Sequence, residues 1–270
     1  MNDKIKELAI EVLQMEADSL LHLKQFINDD FVKSVELIMQ AKGRVVVTGI
    51  GKSAIIAQKI VATFNSTGTP AVFMHAADAI HGDLGIIQPD DVVLCLSKSG
   101  NTPEISVLVP FLKMSQNKLI AMVGNTNSFL AGEADFVLDC SVEKEACPNN
   151  LAPTCSSTAQ LAMGDALASC LIERRGFSSK DFAKFHPGGI LGKRLYVKVN
   201  DLSKFNELPQ IKESDSIKTA ILEISGKCLG VTAVVENDKI VGAITDGDLR
   251  RMLERNETYD HLLAKDKIGR

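Results

Sequence analysis

The chain has 270 residues, 45% hydrophobic and 24% charged, with a net charge of −4; this is room for one large or two smaller soluble domains, and an acidic balance without a basic block argues against nucleic acid as the main partner. Its six cysteines (Cys95, Cys140, Cys147, Cys155, Cys170, Cys228) form no C-x-x-C pair, and several lie in apolar or helical runs, a usage that fits a reducing cytoplasm. The charged start (Asp3, Lys4, Lys6, Glu7) is unlike a signal segment, and no apolar run approaches membrane-spanning length.

Ile5, Leu8, Val12, Met15, Leu20, Leu23 and Phe26 recur at helical spacing, so residues 3–27 read as an amphipathic helix. A second helix over 31–41 carries Val35, Leu37 and Ile38 and ends near Gly43. Helices placed ahead of a first strand either cover a sheet edge or pair with another subunit. Arg44-Val45-Val46-Val47-Thr48 is the first strand, and Gly49-Ile50-Gly51-Lys52-Ser53 turns into a helix reaching about Thr67. Strands follow at 71–74, 92–96, 118–123 and 136–138, and a long apolar helix covers 156–174. This alternation predicts a doubly wound, mainly parallel five-stranded α/β sheet.

The turn after the first strand fits three templates unequally. A P-loop needs a glycine where Val46 stands. A dinucleotide fingerprint is formally met by Gly49, Gly51 and Ala54, but needs an acidic residue where the next strand ends in His75. The favoured reading is an anion- or sugar-binding turn, with Lys52 reaching into the crevice.

The strongest local signal is the stretch from Leu94 to Glu104. An apolar strand feeds a hydroxyl-rich loop holding Ser97, Ser99 and Thr102; Gly100 permits close approach, and Pro103 suits the first turn of a helix. Free backbone N–H groups and the positive helix end make such a loop a phosphate cradle. The plain alternative is an ordinary turn capped by Thr102. His81 and Asp83 sit just past the strand at 71–74, where open α/β sheets place ligands. Glu143 and Glu145 lie in a polar loop, where carboxylates are ordinarily solvated. Residues 185–192 are glycine-rich and irregular around His186.

From Asn200 the texture changes. Leu208-Pro209-Gln210 reads as a linker, 216–225 as a helix, 230–235 and 239–244 as strands joined by an Asn237-Asp238 turn, and Thr245-Asp246-Gly247-Asp248 as a helix start. This is a small α+β module. The last five residues, 266–270, show no clear pattern.

With these pieces together, the chain resembles the arabinose 5-phosphate isomerases, which join a sugar isomerase (SIS) domain to CBS modules. The residues that carry the resemblance are Gly49-Ile50-Gly51-Lys52-Ser53, Ser66-Thr67-Gly68-Thr69-Pro70, His81-Gly82-Asp83-Leu84-Gly85 and Ser97-Lys98-Ser99-Gly100-Asn101-Thr102. They continue in Lys144-Glu145-Ala146-Cys147-Pro148, Met163-Gly164-Asp165-Ala166-Leu167, His186-Pro187-Gly188-Gly189 and Thr245-Asp246-Gly247-Asp248-Leu249-Arg250-Arg251. The serine loop alone says only SIS domain; the Lys-Glu-Ala-Cys-Pro and His-Pro-Gly-Gly segments narrow it to this isomerase group.

The resemblance implies a SIS domain over 1–200 and one CBS module over 207–270. It implies interconversion of ribulose 5-phosphate and arabinose 5-phosphate, supplying the sugar Kdo for lipopolysaccharide or capsule. It also implies a homotetramer with shared active sites. It places catalytic roles on Lys52, Glu104, Glu145 and His186, and substrate contact on His81. Gly51, Ser53, Gly68 and Thr69 fall in substrate-proximal segments, and Ser97, Lys98, Ser99, Gly100, Asn101 and Thr102 in the phosphate-binding loop. His75 matches a position linked to zinc, inhibitory rather than catalytic; Thr245 and Asp248 match a nucleotide-contacting pattern. Relatives often carry Pro-Gly-Glu where Ala76-Ala77-Asp78 stands, and Glu where Asn101 stands. They also carry two CBS modules where one is present, so nucleotide binding here would need pairing across subunits.

Aldose–ketose isomerisation moves a proton between adjacent carbons through an enediolate. It needs a base over the carbon acid, a group that stabilises the developing oxyanion, and a phosphate anchor, but no metal or redox cofactor. Glu145 is expected to be the base, with Glu104 the alternative; Lys52 stabilises a substrate oxygen, and His186 opens the ring or shuttles the hydroxyl proton. The competing reading is a non-catalytic phosphosugar-sensing regulator. Such proteins typically carry an N-terminal helix-turn-helix domain, whereas here only about 40 residues, acidic overall, precede the first strand.

Overall fold

The centre of the N-terminal unit follows from its Val- and Leu-rich runs. β1 (Val45–Gly49) and β3 (Val92–Ser97) are buried at every position, as strands covered on both faces must be. With β2 (Ala71–His75), β4 (Lys118–Val123) and β5 (Phe136–Asp139) they form a fully parallel sheet in the order β2-β1-β3-β4-β5. The computed structural model describes residues 2–189, 198, 204, 207–254 and 261–268. The chain divides into two compact units, 1–192 and 193–270. Ile190 to Gly192 of the glycine-rich segment, the expected change of texture at Asn200, and the terminal Gly269 and Arg270 lie outside the described residues.

Helices cover both faces. On one lie α1 (Asn2–Leu23), α2 (Asp29–Gln40), α3 (Lys52–Ser66) and α7 (Cys155–Arg175); residues such as Ile38, Ile60, Phe64, Met163 and Leu167 meet Val47, Leu94 and Ile120 there. On the other lie α4 (Ala76–Ala79), α5 (Pro103–Met114) and α6 (Phe129–Glu133), whose Ile105, Leu108 and Leu130 meet Val46, Val93 and Ala121. The last turn of the expected first helix tightens into a 3₁₀ turn over Lys24–Phe26. A short helix, α8 (Ser179–Phe185), opens on a capping box between Ser178 and Asp181.

Of the two roles that sequence left open for the leading helices, edge covering is the one seen, in α2. α2 covers the β5 edge, where Asp30 Oδ2 accepts the otherwise free N–H of Val137 at 3.0 Å. α1 packs against α7, turning Leu20 and Leu23 inward. Its Ile5, Ile10, Leu13 and Leu21 remain exposed.

The strand order places the site. The chain leaves β1 for β2 on one side and then crosses to β3 on the other, so the winding reverses between β1 and β3. The register pairs Gly49 with Leu96. The loops leaving β1 and β3 therefore emerge side by side, and such a switch point is where open α/β sheets bind ligands.

The second unit has a three-stranded sheet. β6 (Gln210–Lys212) runs parallel to β7 (Val231–Glu236), which pairs antiparallel with β8 (Lys239–Thr245). Asn237 and Asp238 make the hairpin turn with φ of 48° and 60°, the left-handed pair that a two-residue connection demands. α9 (Ile217–Lys227) and α10 (Asp246–Glu254) supply Ile217, Ala220, Ile224 and Met252 to its core. The expected linker thus ends in a strand at Gln210.

Candidate active site

Two glycines shape the loops at the switch point. Gly51, before α3, has φ of 57° and ψ of −127°, a conformation closed to most side chains. Gly100 has φ of 66°, and a Cβ there would overlap the Ser128 side chain. The hydroxyls of Ser97 and Ser99 accept from the loop's own backbone: Gly100 N donates to Ser97 Oγ at 3.0 Å, and Asn101 N to Ser99 Oγ at 3.3 Å. Thr102 is the N-cap residue of α5, yet its side chain makes no capping bond, and Oγ1 is buried without a partner. The ordinary cap is therefore not what this threonine does; its hydroxyl is left for something else.

The loops border a cleft of about 310 Å³, the lower end of the range for small-ligand sites. Ile50, Lys52 and Ser53 line it from the β1 side, and Ser97, Lys98, Ser99 and Thr102 from the β3 side. Pro153, Ser156, Ser157 and Gln160 close it from the start of α7. That third wall was not anticipated; the Ser156-Ser157-Thr158 run after Pro153 is the signal that could have revealed it. A wider hollow of about 600 Å³ between α1 and residues 141–144 holds none of the expected site residues.

Glu145 is 2% exposed, contrary to what a polar loop suggests. Its Oε2 accepts from the backbone N of Thr154 at 2.8 Å, the Thr154 hydroxyl at 3.1 Å and Ser156 N at 3.2 Å; Oε1 accepts from Ser156 Oγ and Lys98 Nζ, each at 2.5 Å. Burial alone would raise its pKa. The Lys98 ammonium, the Ser156 hydroxyl and the two backbone amides outweigh that and hold it at about 2. Five donors converge on this one carboxylate. In the same loop, Cys147 Sγ accepts from Leu151 N and Ala152 N, and these bonds lower the thiol's pKa.

The remaining expected residues lie outside the cleft lining. Glu104 sits half-buried in the first turn of α5, with its carboxylate in no hydrogen bond or ion pair among the described residues. Asn101 turns away to α6, its Oδ1 accepting from Phe129 N at 2.8 Å. His81 is exposed beyond α4. Gly68, at φ 85°, packs against the Phe177 ring, and Thr69 Oγ1 is buried without a partner. His186 stacks on Phe182, with centroids 3.8 Å apart, and its Nδ1 lies 2.8 Å from the Phe182 carbonyl. His75 Nδ1 is 3.6 Å from Asp78 Oδ2, too far for a hydrogen bond, and no cluster of three or more potential metal ligands exists among the described residues. In the second unit, Thr245 and Asp248 serve each other: Thr245 N and Oγ1 donate to Asp248 Oδ2 at 2.9 and 2.7 Å. They cap α10, and the hollow beside β6 and β7 is lined by other residues.

No described helix is long and apolar enough to cross a membrane. Residues 37–170 match the SIS domain model. The arabinose 5-phosphate isomerase KdsD of Pseudomonas aeruginosa is 51% identical over 249 residues, covering 92% of this chain and 76% of that protein. The Escherichia coli K12 protein of the same name is 47% identical over 246 residues, covering 90% and 75%. A solved structure from Escherichia coli CFT073, in complex with arabinose 5-phosphate, superposes with a TM-score of 0.67 at 39% identity, covering 69% of this chain and all of that one. Likeness of this extent makes the chain a member of the arabinose 5-phosphate isomerase family.

Proposed function

We propose that the chain interconverts D-ribulose 5-phosphate and D-arabinose 5-phosphate in the cleft between the β1, β3 and α7 loops. The observation that carries this reading is the buried, unpartnered Thr102 hydroxyl beside Ser97, Ser99 and Lys98 at the start of α5. Hydroxyls, backbone N–H groups, an ammonium and a helix N-terminus on one wall form a phosphate anchor. Lys52 at the opposite wall is suited to stabilise the oxyanion of an enediolate.

Proton work is divided differently from what the sequence suggests. A general base works best with a pKa near the working pH, and Glu145, held at about 2 by Lys98, the Ser156 hydroxyl and two backbone amides, is a poor one. Its role is to fix Lys98 and the first turn of α7. The base is then Glu104, whose carboxylate is unengaged among the described residues, with His186 as the ring-opening or proton-shuttling group. Neither lines the cleft of its own chain. The exposed apolar face of α1 supports the homotetramer that the family resemblance implies, in which neighbouring chains complete each site. This chemistry calls for no redox cofactor.

Incubation of the purified chain with ribulose 5-phosphate tests the reading. Arabinose 5-phosphate should accumulate to equilibrium, and Glu104→Gln should abolish turnover while leaving thermal stability and substrate affinity near wild type. Full activity in Glu104→Gln sinks the base assignment.

A further inference from the structure

Gln160 lies in the second turn of α7 and is 2% exposed. Ser53 Oγ donates to its Oε1 at 3.1 Å, while its Nε2 has no hydrogen-bond partner. A buried amide with one end satisfied and the other empty is unfavourable for the unliganded fold, and native interiors hold few such groups. The residue lines the same cleft as the phosphate-type loop, on the wall that Ser156 and Ser157 share. Thr102 Oγ1, across the cleft on the β3 side, is the second buried polar atom there without a partner.

We propose that Gln160 is a substrate-contacting residue that donates from Nε2 to a hydroxyl or carbonyl oxygen of the sugar phosphate, with Ser53 orienting the amide. The division of labour follows from the walls. The β3 loop, with its hydroxyls and Lys98, suits the phosphate. The α7 wall presents a neutral donor, which suits an uncharged oxygen of the sugar chain. A site built to hydrogen-bond a substrate oxygen discriminates sharply against analogues that cannot complete the bond. Gln160 is therefore a specificity determinant as well as a binding residue, and Ser53 is a positioning residue that acts through it.

This inference rests on the isomerase reading, and its test separates the two. Wild-type chain, Gln160→Leu, Gln160→Met, Ser53→Ala and the Ser53→Ala/Gln160→Leu double variant are assayed with ribulose 5-phosphate and melted with and without arabinose 5-phosphate. Gln160→Leu and Gln160→Met should lose about 10- to 100-fold in kcat/KM, the range for a lost substrate hydrogen bond. Their unliganded Tm should be equal to or above that of wild type, since an orphaned donor has been removed. The rise in Tm caused by arabinose 5-phosphate should shrink. Ser53→Ala should show a smaller loss, and the double variant should be no worse than Gln160→Leu alone. A role in packing alone would instead lower Tm in step with activity. Wild-type kcat/KM in both Gln160 variants, or losses that only follow a fall in Tm, overturn the inference while leaving the isomerase reading intact. A wild-type chain that does not convert ribulose 5-phosphate overturns the isomerase reading itself, and the inference with it.

Discussion

Lys98 Nζ lies 2.5 Å from Glu145 Oε1, joining the loop after β3 to a segment 47 positions further along the chain. The same carboxylate takes four more donors from Thr154 and Ser156, so it fastens the phosphate-type loop to the N-terminus of α7. Two of the three walls of the cleft are thereby held by one side chain. The lysine end is half-exposed and the carboxylate end is 1% exposed, which makes Glu145 the fixed point and Lys98 the group it aims.

This arrangement predicts an acid-sensitive fold. The unfolded chain binds the Glu145 proton with a pKa near the ordinary 4.5, and the folded one with a pKa of about 2. The associated stabilisation, about 3 kcal/mol, is fully present above pH 4.5 and is lost as the pH falls towards 2. Glu145→Gln should lower the stability at pH 7 and flatten its dependence between those limits. Urea unfolding at several pH values checks it; a variant whose pH dependence matches wild type contradicts the assignment.

The anchor itself is tested through binding. Replacing Ser97 and Ser99 together by Ala removes two hydroxyls facing the proposed phosphate and the acceptors that curl the loop. KM should rise about 10- to 100-fold, as expected for lost hydrogen bonds to a charged group, with kcat changed less. An unchanged KM refutes the phosphate cradle.

Backbone demands differ between the two loop glycines. Gly100→Ala forces both a left-handed residue and an overlap with Ser128, so it should destabilise by about 2–4 kcal/mol. Gly51→Ala has open space around its Cβ and meets only the conformational cost, about 1–3 kcal/mol. Thermal denaturation of the pair should rank them in that order.

In the second unit, Asp248 accepts from Thr245 N and Oγ1 and pairs with Arg251. These partners lower its pKa. Asp248→Ala should therefore cost about 1 kcal/mol through loss of a helix cap, with or without adenine nucleotide. Calorimetric titration with ATP and AMP would reveal a nucleotide role if Asp248→Ala abolished a measurable wild-type heat.

Much of the N-terminal unit was legible because its strands are short apolar runs between turn signals. The expected strand at 92–96 is found at Val92–Ser97, and the one at 118–123 at Lys118–Val123. The serine loop announced itself through residue types adjacent in sequence. What stayed hidden depends on packing between distant segments. Gln160 enters the cleft only because α7 docks beside α3, and nothing local to it says so. Glu145 looks like a solvated loop carboxylate in sequence because its five donors come from residues 98, 154 and 156. α8 is masked in sequence by the glycines and proline that follow it, although Ser178 and Asp181 spell a capping box.

Isomerisation of ribulose 5-phosphate in D₂O, followed by proton NMR, reads the proton transfer itself. A base that removes a C1 proton and an enediolate that is reprotonated at C2 predict arabinose 5-phosphate carrying deuterium at C2. Arabinose 5-phosphate without deuterium at C2 would contradict an enediolate reprotonated from solvent, and absence of any arabinose 5-phosphate would contradict the isomerase activity.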